Sequence, residues 1–400
     1  MDAMQLRAIS LLLHAYVGWR LVPALGSLAG SVALAVVLLI SALTLPYGLG
    51  ARRGGRGRHA AALAWIGLVC MGLFSSLFVL TAVRDVGLLL ATGAAMLWPM
   101  AASAPASLVV PSARAVAIAA AAITLWGFAN ARRTARVVRV DVPIAGLPSA
   151  LEGFTIAQVS DVHVGPTIKR PYVQAIVDAV NRLDVDLVAV TGDLVDGSVR
   201  DLAEHVAPLA GLRSREGVFF VTGNHEYYSG AAAWVQELRR LGLSVLLNQH
   251  AVIRRGDARL VVAGVTDFSA GHFDRSEASD PAAALAGSPA GAVRLLLAHQ
   301  PRSALTAEAA GFDLQLSGHT HGGQFLPWTF LVRLQQPFTA GLNRWRGMWV
   351  YTSRGTGYWG PPKRFGAPSE ITLLRLVAAP APVTGDHAAT GRAGAAQLAV

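Results

Sequence analysis

The first third of the chain is almost free of charge. Residues 21–51 and 60–83 hold no Asp, Glu, Lys or Arg, and either run is long enough to cross about 30 Å of hydrocarbon as a helix. A shorter uncharged run, 115–131, carries Trp126, a residue suited to the boundary between lipid and water. The first apolar run, 8–25, is interrupted by His14 and Arg20. It predicts a helix whose Arg20 reaches toward one end; the alternative is a cleaved signal peptide, with Arg7 ahead of a short apolar core. Together these runs predict a membrane region over 1–135 with four helices, near 6–25, 28–49, 61–83 and 113–130. A further uncharged stretch at 86–104 is the competing fifth span.

From residue 136 the pattern changes. Short runs rich in β-branched and apolar residues at 154–160, 186–191, 217–222, 293–298 and 313–317 predict buried strands. A helical period covers 171–183, and a last strand is predicted over 370–376. Such alternation predicts an α/β domain over 136–376. From 377 on, Ala, Pro and Gly dominate with no core pattern, which predicts a disordered tail over 377–400.

Charge sharpens this division. The formal net charge is +10, and residues 1–140 account for all of it: twelve arginines stand there against Asp2 and Asp85. The remainder balances 22 basic residues against 22 acidic ones. A strongly basic chain suits nucleic acid, but these arginines flank apolar runs as topology determinants do, so no nucleic-acid partner is expected. Arg52, Arg53, Arg56 and Arg58 crowd one connection, and Arg132, Arg133, Arg136 and Arg139 follow the last span. Both clusters are expected to be cytoplasmic, which requires an even number of spans between them and places the downstream domain inside. The single cysteine, Cys70, excludes a disulfide within the chain and fits a reducing compartment.

Candidate chemistry gathers at the predicted strand ends. Asp161-Val162-His163, Gly192-Asp193 with Asp196, Gly223-Asn224-His225-Glu226, His299 and Gly318-His319-Thr320-His321 each follow one strand, the placement expected of a site at one edge of a sheet. Carboxylates and neutral imidazoles without a thiolate suit Mn, Fe or Zn. Alternation along an extended segment would put Asp161 and His163 on one side. An aspartate between two cations can bridge them, and cations about 3.5–4 Å apart clamp both ends of an in-line phosphoryl displacement.

These five motifs, in this order, resemble those of the calcineurin-like metallophosphoesterases over roughly residues 150–376. The helices before them resemble, more loosely, a bacterial subgroup with N-terminal transmembrane helices. The resemblance implies an α-helical transmembrane region followed by an α/β metallophosphoesterase domain of two packed mixed β-sheets flanked by helices. It also implies two divalent metal ions, the first held by Asp161, His163, Asp193 and His321, the second by Asp193, Asn224, His299 and His319. His225 matches the histidine that contacts the phosphoryl group and assists the leaving group, and Asp196 matches the acid that orients it. The expected protein is an integral one of the bacterial inner membrane that hydrolyses a phosphomonoester or phosphodiester. A lipid-linked or envelope-precursor phosphate is one substrate class and a soluble nucleotide the other. A membrane sensor or scaffold that keeps the fold without turnover is the competing function, and degenerate metal motifs would mark it.

Several residues stay open at this level. His205, His250 and His272 match no motif and are expected at the surface. Tyr227 and Tyr228 either shape a substrate pocket or only pack. Gly322-Gly323 either let backbone approach the metals or make a turn. Arg354 and Arg364 suit a second anionic group or a structural ion pair. The Trp- and Phe-rich run 324–338 either touches lipid or belongs to the hydrophobic body of the fold.

Overall fold

The computed structural model describes residues 3–50, 58–98 and 104–379. Arg52, Arg53 and Arg56, and nearly all of the predicted tail, lie outside the described residues. Four helices come first: α1 (Ala3–Leu21), α2 (Leu28–Gly50), α3 (Arg58–Leu97) and α4 (Ala104–Arg132). Each is long and apolar enough to cross a membrane. They run up and down alternately. His14 on α1 stacks on Phe74 of α3, ring centroids 3.6 Å apart, and hydrogen-bonds Ser41 on α2. Small residues allow the tightest crossing: a Cβ on Gly67 would stand 2.3 Å from the carbonyl oxygen of Thr44, the close approach that glycine permits between membrane helices.

Forty residues at 1.5 Å each make α3 about 60 Å long. It does not stop near 83 but runs through Arg84 and Asp85, so most of the stretch offered as a fifth span forms its last turns. The two charges do not end the helix because they are paired. Arg20 donates to both oxygens of Asp85 at 2.8 and 2.9 Å, and Tyr16 donates to Asp85 at 2.8 Å. Arg84 reaches Ser112 and the Val109 carbonyl. Paired charges facing a bundle interior are tolerated where lone ones are not. Arg20 therefore points to Asp85 rather than simply toward a helix end.

Three residues after α4, β1 (Arg136–Ile144) opens the second unit. It continues through β2 (Thr155–Val159), α5 (Arg170–Asn181), β3 (Leu187–Val190), α6 (Val199–Val206) and β4 (Val218–Phe220). Next come α7 (Asn224–Ser229), α8 (Ala231–Arg240), β5 (Ser244–Val245), β6 (Gln249–Arg255), β7 (Ala258–Gly264) and α9 (Pro281–Leu285). The last elements are β8 (Val293–Leu297), α10 (Ala304–Ala310), β9 (Leu314–Ser317), α11 (Trp328–Leu331), β10 (Gly341–Trp345), β11 (Met348–Thr352) and β12 (Glu370–Ala378).

The strands form two mixed sheets, ordered β1-β12-β2-β3-β4-β5 and β10-β11-β9-β8-β7-β6. Ile156, Leu187 and Ala189 of the first face Leu260, Val262, Leu295 and Leu316 of the second in one fully buried core. Val173, Ile176 and Val180 of α5, with Trp234 and Leu238 of α8, cover the outer face of the first sheet. Strands covered on both faces read as unbroken apolar runs, as Leu-Val-Ala-Val of β3 does.

The two units are bolted together. Lys363, 2% exposed, donates to the Gly72 carbonyl of α3 at 2.7 Å and to the Ser76 hydroxyl. The Arg364 amide donates to the Gly127 carbonyl of α4 at 2.9 Å, and the Trp328 indole donates to Ser75 at 3.0 Å. Arg132 lies over the Trp65 ring and donates to the Thr167 carbonyl.

Candidate metal centre

Five strands of the two sheets end at one place. β2 leads to Asp161 and His163, β3 to Asp193, β4 to Asn224 and His225, β8 to His299 and β9 to His319 and His321. The segment holding Asp161 and His163 is not extended: both residues have left-handed φ, 54° and 56°. Asp193, His319 and His321 share this conformation at 52°, 69° and 50°. Five non-glycine residues in a sparsely populated region at one site is a concentration of backbone strain of the kind found at functional sites. The convergence of Asp161 and His163 therefore comes from two tight bends and not from strand alternation.

Glycine makes room for the crowding. A Cβ on Gly318 would fall 2.1 Å from Asp161 Oδ2, and one on Gly223 would fall 2.2 Å from Asp193 Oδ1. Gly322 and Gly323 serve another purpose. They make a turn, and Gly323 lies against the backbone of Thr329.

The donor atoms are close and buried. His163 Nε2 lies 3.0 Å from His321 Nε2 and 3.8 Å from Asp193 Oδ2, and His321 Nε2 lies 3.4 Å from Asp161 Oδ1. On the other side His299 Nε2 lies 3.2 Å from Asp193 Oδ2 and 3.2 Å from His319 Nδ1. Asp193 Oδ2 thus stands between two groups of imidazoles. Asn224 Oδ1 is buried with no hydrogen-bond donor among the described residues. His299 Nδ1 stands 2.8 Å from the Thr191 carbonyl, which turns its Nε2 inward.

Burial lowers His319 to about 3, helped by the charge of His299. Burial and then the Arg364 guanidinium hold His321 well below the usual imidazole range. Both rings are thereby kept neutral, the form that binds a cation. His299 goes the other way: burial opposes its charge, but Asp193 and Asp161 outweigh burial and raise it well above the usual range. The field at that point favours positive charge. Facing imidazole nitrogens, an unpartnered amide oxygen and two buried carboxylates together fit divalent cations.

His225 touches Asp196 through Nδ1, and its Nε2 lies 3.8 Å from Asp193 Oδ2. Extended backbone would send it away from Asn224. The structure instead begins α7 at Asn224, and His225 faces the same cluster. Burial pushes the Asp196 carboxyl upward, but the imidazoles of His163 and His225 outweigh burial and hold it below the usual carboxylate range.

Glu226, not singled out from sequence, is fully buried and accepts from the amides of Asp193 (2.9 Å), Leu194 (2.7 Å) and Gly223 (2.6 Å). It ties the Asp193 loop to the Asn224 loop. Burial and the charge of Asp193 push it up to about 7. Its signal was present as the fourth residue of Gly-Asn-His-Glu.

Of the open residues, Tyr228 lines the cavity over the site and Tyr227 stacks on Phe273. Arg354 pairs with Glu370 at 3.0 Å. Arg364 is buried, donates to the carbonyls of His321 and Arg354, and lies 3.0 Å from His321 Nδ1. His272 is exposed; His205 and His250 are half-buried, the latter 2.8 Å from the Ala284 carbonyl.

Comparison with known proteins accords with this geometry. Residues 154–323 match the calcineurin-like phosphoesterase family. A transmembrane protein with metallophosphoesterase domain from Danio rerio is 38% identical over 65% of this chain and 61% of its own length. An uncharacterized metallophosphoesterase from Campylobacter jejuni is 37% identical over 62% of this chain and 64% of its own. The chain thus spans about three fifths of the length of these relatives, which come from a vertebrate as well as from a bacterium. A further uncharacterized metallophosphoesterase, from Aquifex aeolicus, is 33% identical, and the match covers 91% of it. Motif order, strand-end placement and this degree of identity agree, and the chain belongs to the calcineurin-like metallophosphoesterase family.

Proposed function

We propose that this protein is a membrane-anchored phosphoesterase with two divalent cations at the strand ends, hydrolysing a phosphomonoester or phosphodiester. The observation that supports it best is the convergence of Asp161, His163, Asp193, His299, His319 and His321, with Asn224 lining the same cavity and its buried Oδ1 lacking a hydrogen-bond partner among the described residues. Asp161, His163, Asp193 and His321 would hold one cation, and Asp193, Asn224, His299 and His319 the other. Ions such as Mn, Fe or Zn would supply Lewis acidity and an activated water.

The chain's own residues do the rest. Asp193, between the two groups, sets the spacing. The strained loops hold the imidazoles in place before substrate arrives. His225 Nε2 faces the site while Asp196 holds its Nδ1, which fits it to donate a proton to the departing oxygen as water adds to phosphorus and the ester P–O bond breaks. The complete donor set speaks against the scaffold reading.

Purified in detergent and loaded with Mn, the full chain is expected to bind two ions and to cleave 4-nitrophenyl phosphate or bis(4-nitrophenyl) phosphate. No cleavage of either by fully loaded protein would overturn the reading.

We propose the cytoplasmic side of a bacterial inner membrane for the catalytic unit, a reading supported by the arginines that crowd residues 52–58 and 132–139 of the sequence. A reporter fused after Arg139 or inserted at Gly55 is expected to behave as cytoplasmic. Labelling of the residue-55 connection by an external, membrane-impermeant reagent would contradict it.

A further inference from the structure

A cavity of about 670 Å³ opens from the donor cluster, within the roughly 300–1,000 Å³ usual for small-molecule sites. One end is polar and holds His163, Asp193 and His319. The lining also takes in Phe325, Trp328, Leu331, Val332 and Gln335 of the segment after the last histidine, together with Met71. Met71 belongs to α3, a helix apolar enough to cross a membrane. Such a helix thus contributes Met71 to the lining of the cavity, beside an apolar segment.

The segment bearing the apolar wall is itself greasy on its outer side. Phe330 is 63% exposed and Leu334 83%, and Trp328 is tied to Ser75 of α3. Scattered exposed apolar residues mean little, but a contiguous set beside membrane helices marks a lipid-facing surface.

The polar inventory points the same way. Among the described residues, no lysine or arginine lines the cavity. Of the cations around the cavity, Lys363 is held by Gly72 and Ser76, Arg364 by backbone carbonyls and Arg354 by Glu370, while Arg302, whose charge is felt at His319, donates to the Gln335 carbonyl and lies over the Phe268 ring. Gln324 is committed to the backbone of Trp359 and Pro361, and Thr320 to the Thr339 carbonyl. A nucleotide with a base to read and further phosphates to bind finds little here.

We infer that the substrate is an amphipathic phosphate ester taken from the bilayer. Its phosphate meets the donor cluster, and its hydrocarbon chain lies between Met71 of α3 and the Phe325–Val332 wall. This rests on the phosphoesterase reading above.

The test uses full-length, Mn-loaded protein in detergent and two matched series. One is methyl, butyl and octyl phosphate; the other is 4-nitrophenyl methyl, butyl and octyl phosphate. Adenosine monophosphate serves as the soluble comparison. In whichever series is cleaved, kcat/KM is expected to rise by at least about tenfold from methyl to octyl, a fraction of the roughly fourfold per methylene that full burial gives. Adenosine monophosphate is expected to fall below the octyl ester.

Val332→Asp and, separately, Leu331→Asp are expected to flatten the chain-length slope while metal content stays at two ions. Mere partition into detergent would leave the slope intact in both variants, and that result would overturn the inference. So would equal kcat/KM along a cleaved series in the wild type, or a preference for adenosine monophosphate. Failure to cleave any ester, nitrophenyl compounds included, would instead remove the phosphoesterase reading, and this inference with it.

Discussion

Asp193→Ala is expected to lose metal and turnover together. Its Oδ2 is the atom shared by the two imidazole groups, 3.2 Å from His299 and 3.8 Å from His163. Its Oδ1 accepts the His225 amide at 2.9 Å and so also fixes the start of α7. On the two-cation reading proposed above, alanine would remove a ligand from both ions and leave buried imidazoles without the charge that accompanies a cation. A well-packed replacement nearby cannot compensate, because Gly223 and Gly192 crowd that loop. Metal analysis beside rates on one preparation checks it. Two ions retained in the purified variant would show that Asp193 does not bridge.

His225→Ala is expected to do the opposite, keeping both ions and losing most turnover. His225 follows Asn224 on α7 and faces the cluster. The case rests on the Nδ1 contact with Asp196, which holds the ring with Nε2 turned to the donor cluster, 3.8 Å from Asp193 Oδ2, an orientation suited to a general acid. Loss of such a group typically costs 10²–10⁴-fold. The loss should be smallest for 4-nitrophenyl esters, whose leaving oxygen needs little protonation, and largest for alkyl esters. Should the variant lose an ion, His225 is a ligand and the leaving-group role falls.

Much of this was legible in the chain. Buried strands announce themselves as unbroken apolar runs, so the five that carry the site, and the order of their Asp, His and Asn termini, could be read directly. What failed was backbone geometry beyond the strand ends. Asp161 and His163 adopt left-handed φ, and Asn224 opens a helix, because tertiary crowding around the donors overrides the extended default. Edge strands were harder. Residues 138–144 of β1 do alternate apolar and polar positions, but nothing local marked β1 as the parallel partner of β12, more than 230 residues later. The β6–β7 hairpin did carry a signal, Gly256-Asp257 between alternating runs, a pair suited to a two-residue turn. In the bundle, Asp85 looked like a boundary because its partners Arg20 and Tyr16 stand 65 and 69 residues earlier. Pairing across such a distance leaves no local trace.

Lys363 has a wider meaning. Burial lowers its ammonium to about 8, yet it caps carbonyl and hydroxyl groups of α3, while only three residues join α4 to β1. There is no slack on which the catalytic unit could swing. On the membrane-anchored reading proposed above, a bundle set in a bilayer would hold the donor cluster at one height, and the protein would act as a depth gauge. Esters whose phosphorus stands at that height would be reached without any motion of the domain. Those with a longer or shorter polar spacer would have to be lifted or drawn down at the expense of their own solvation.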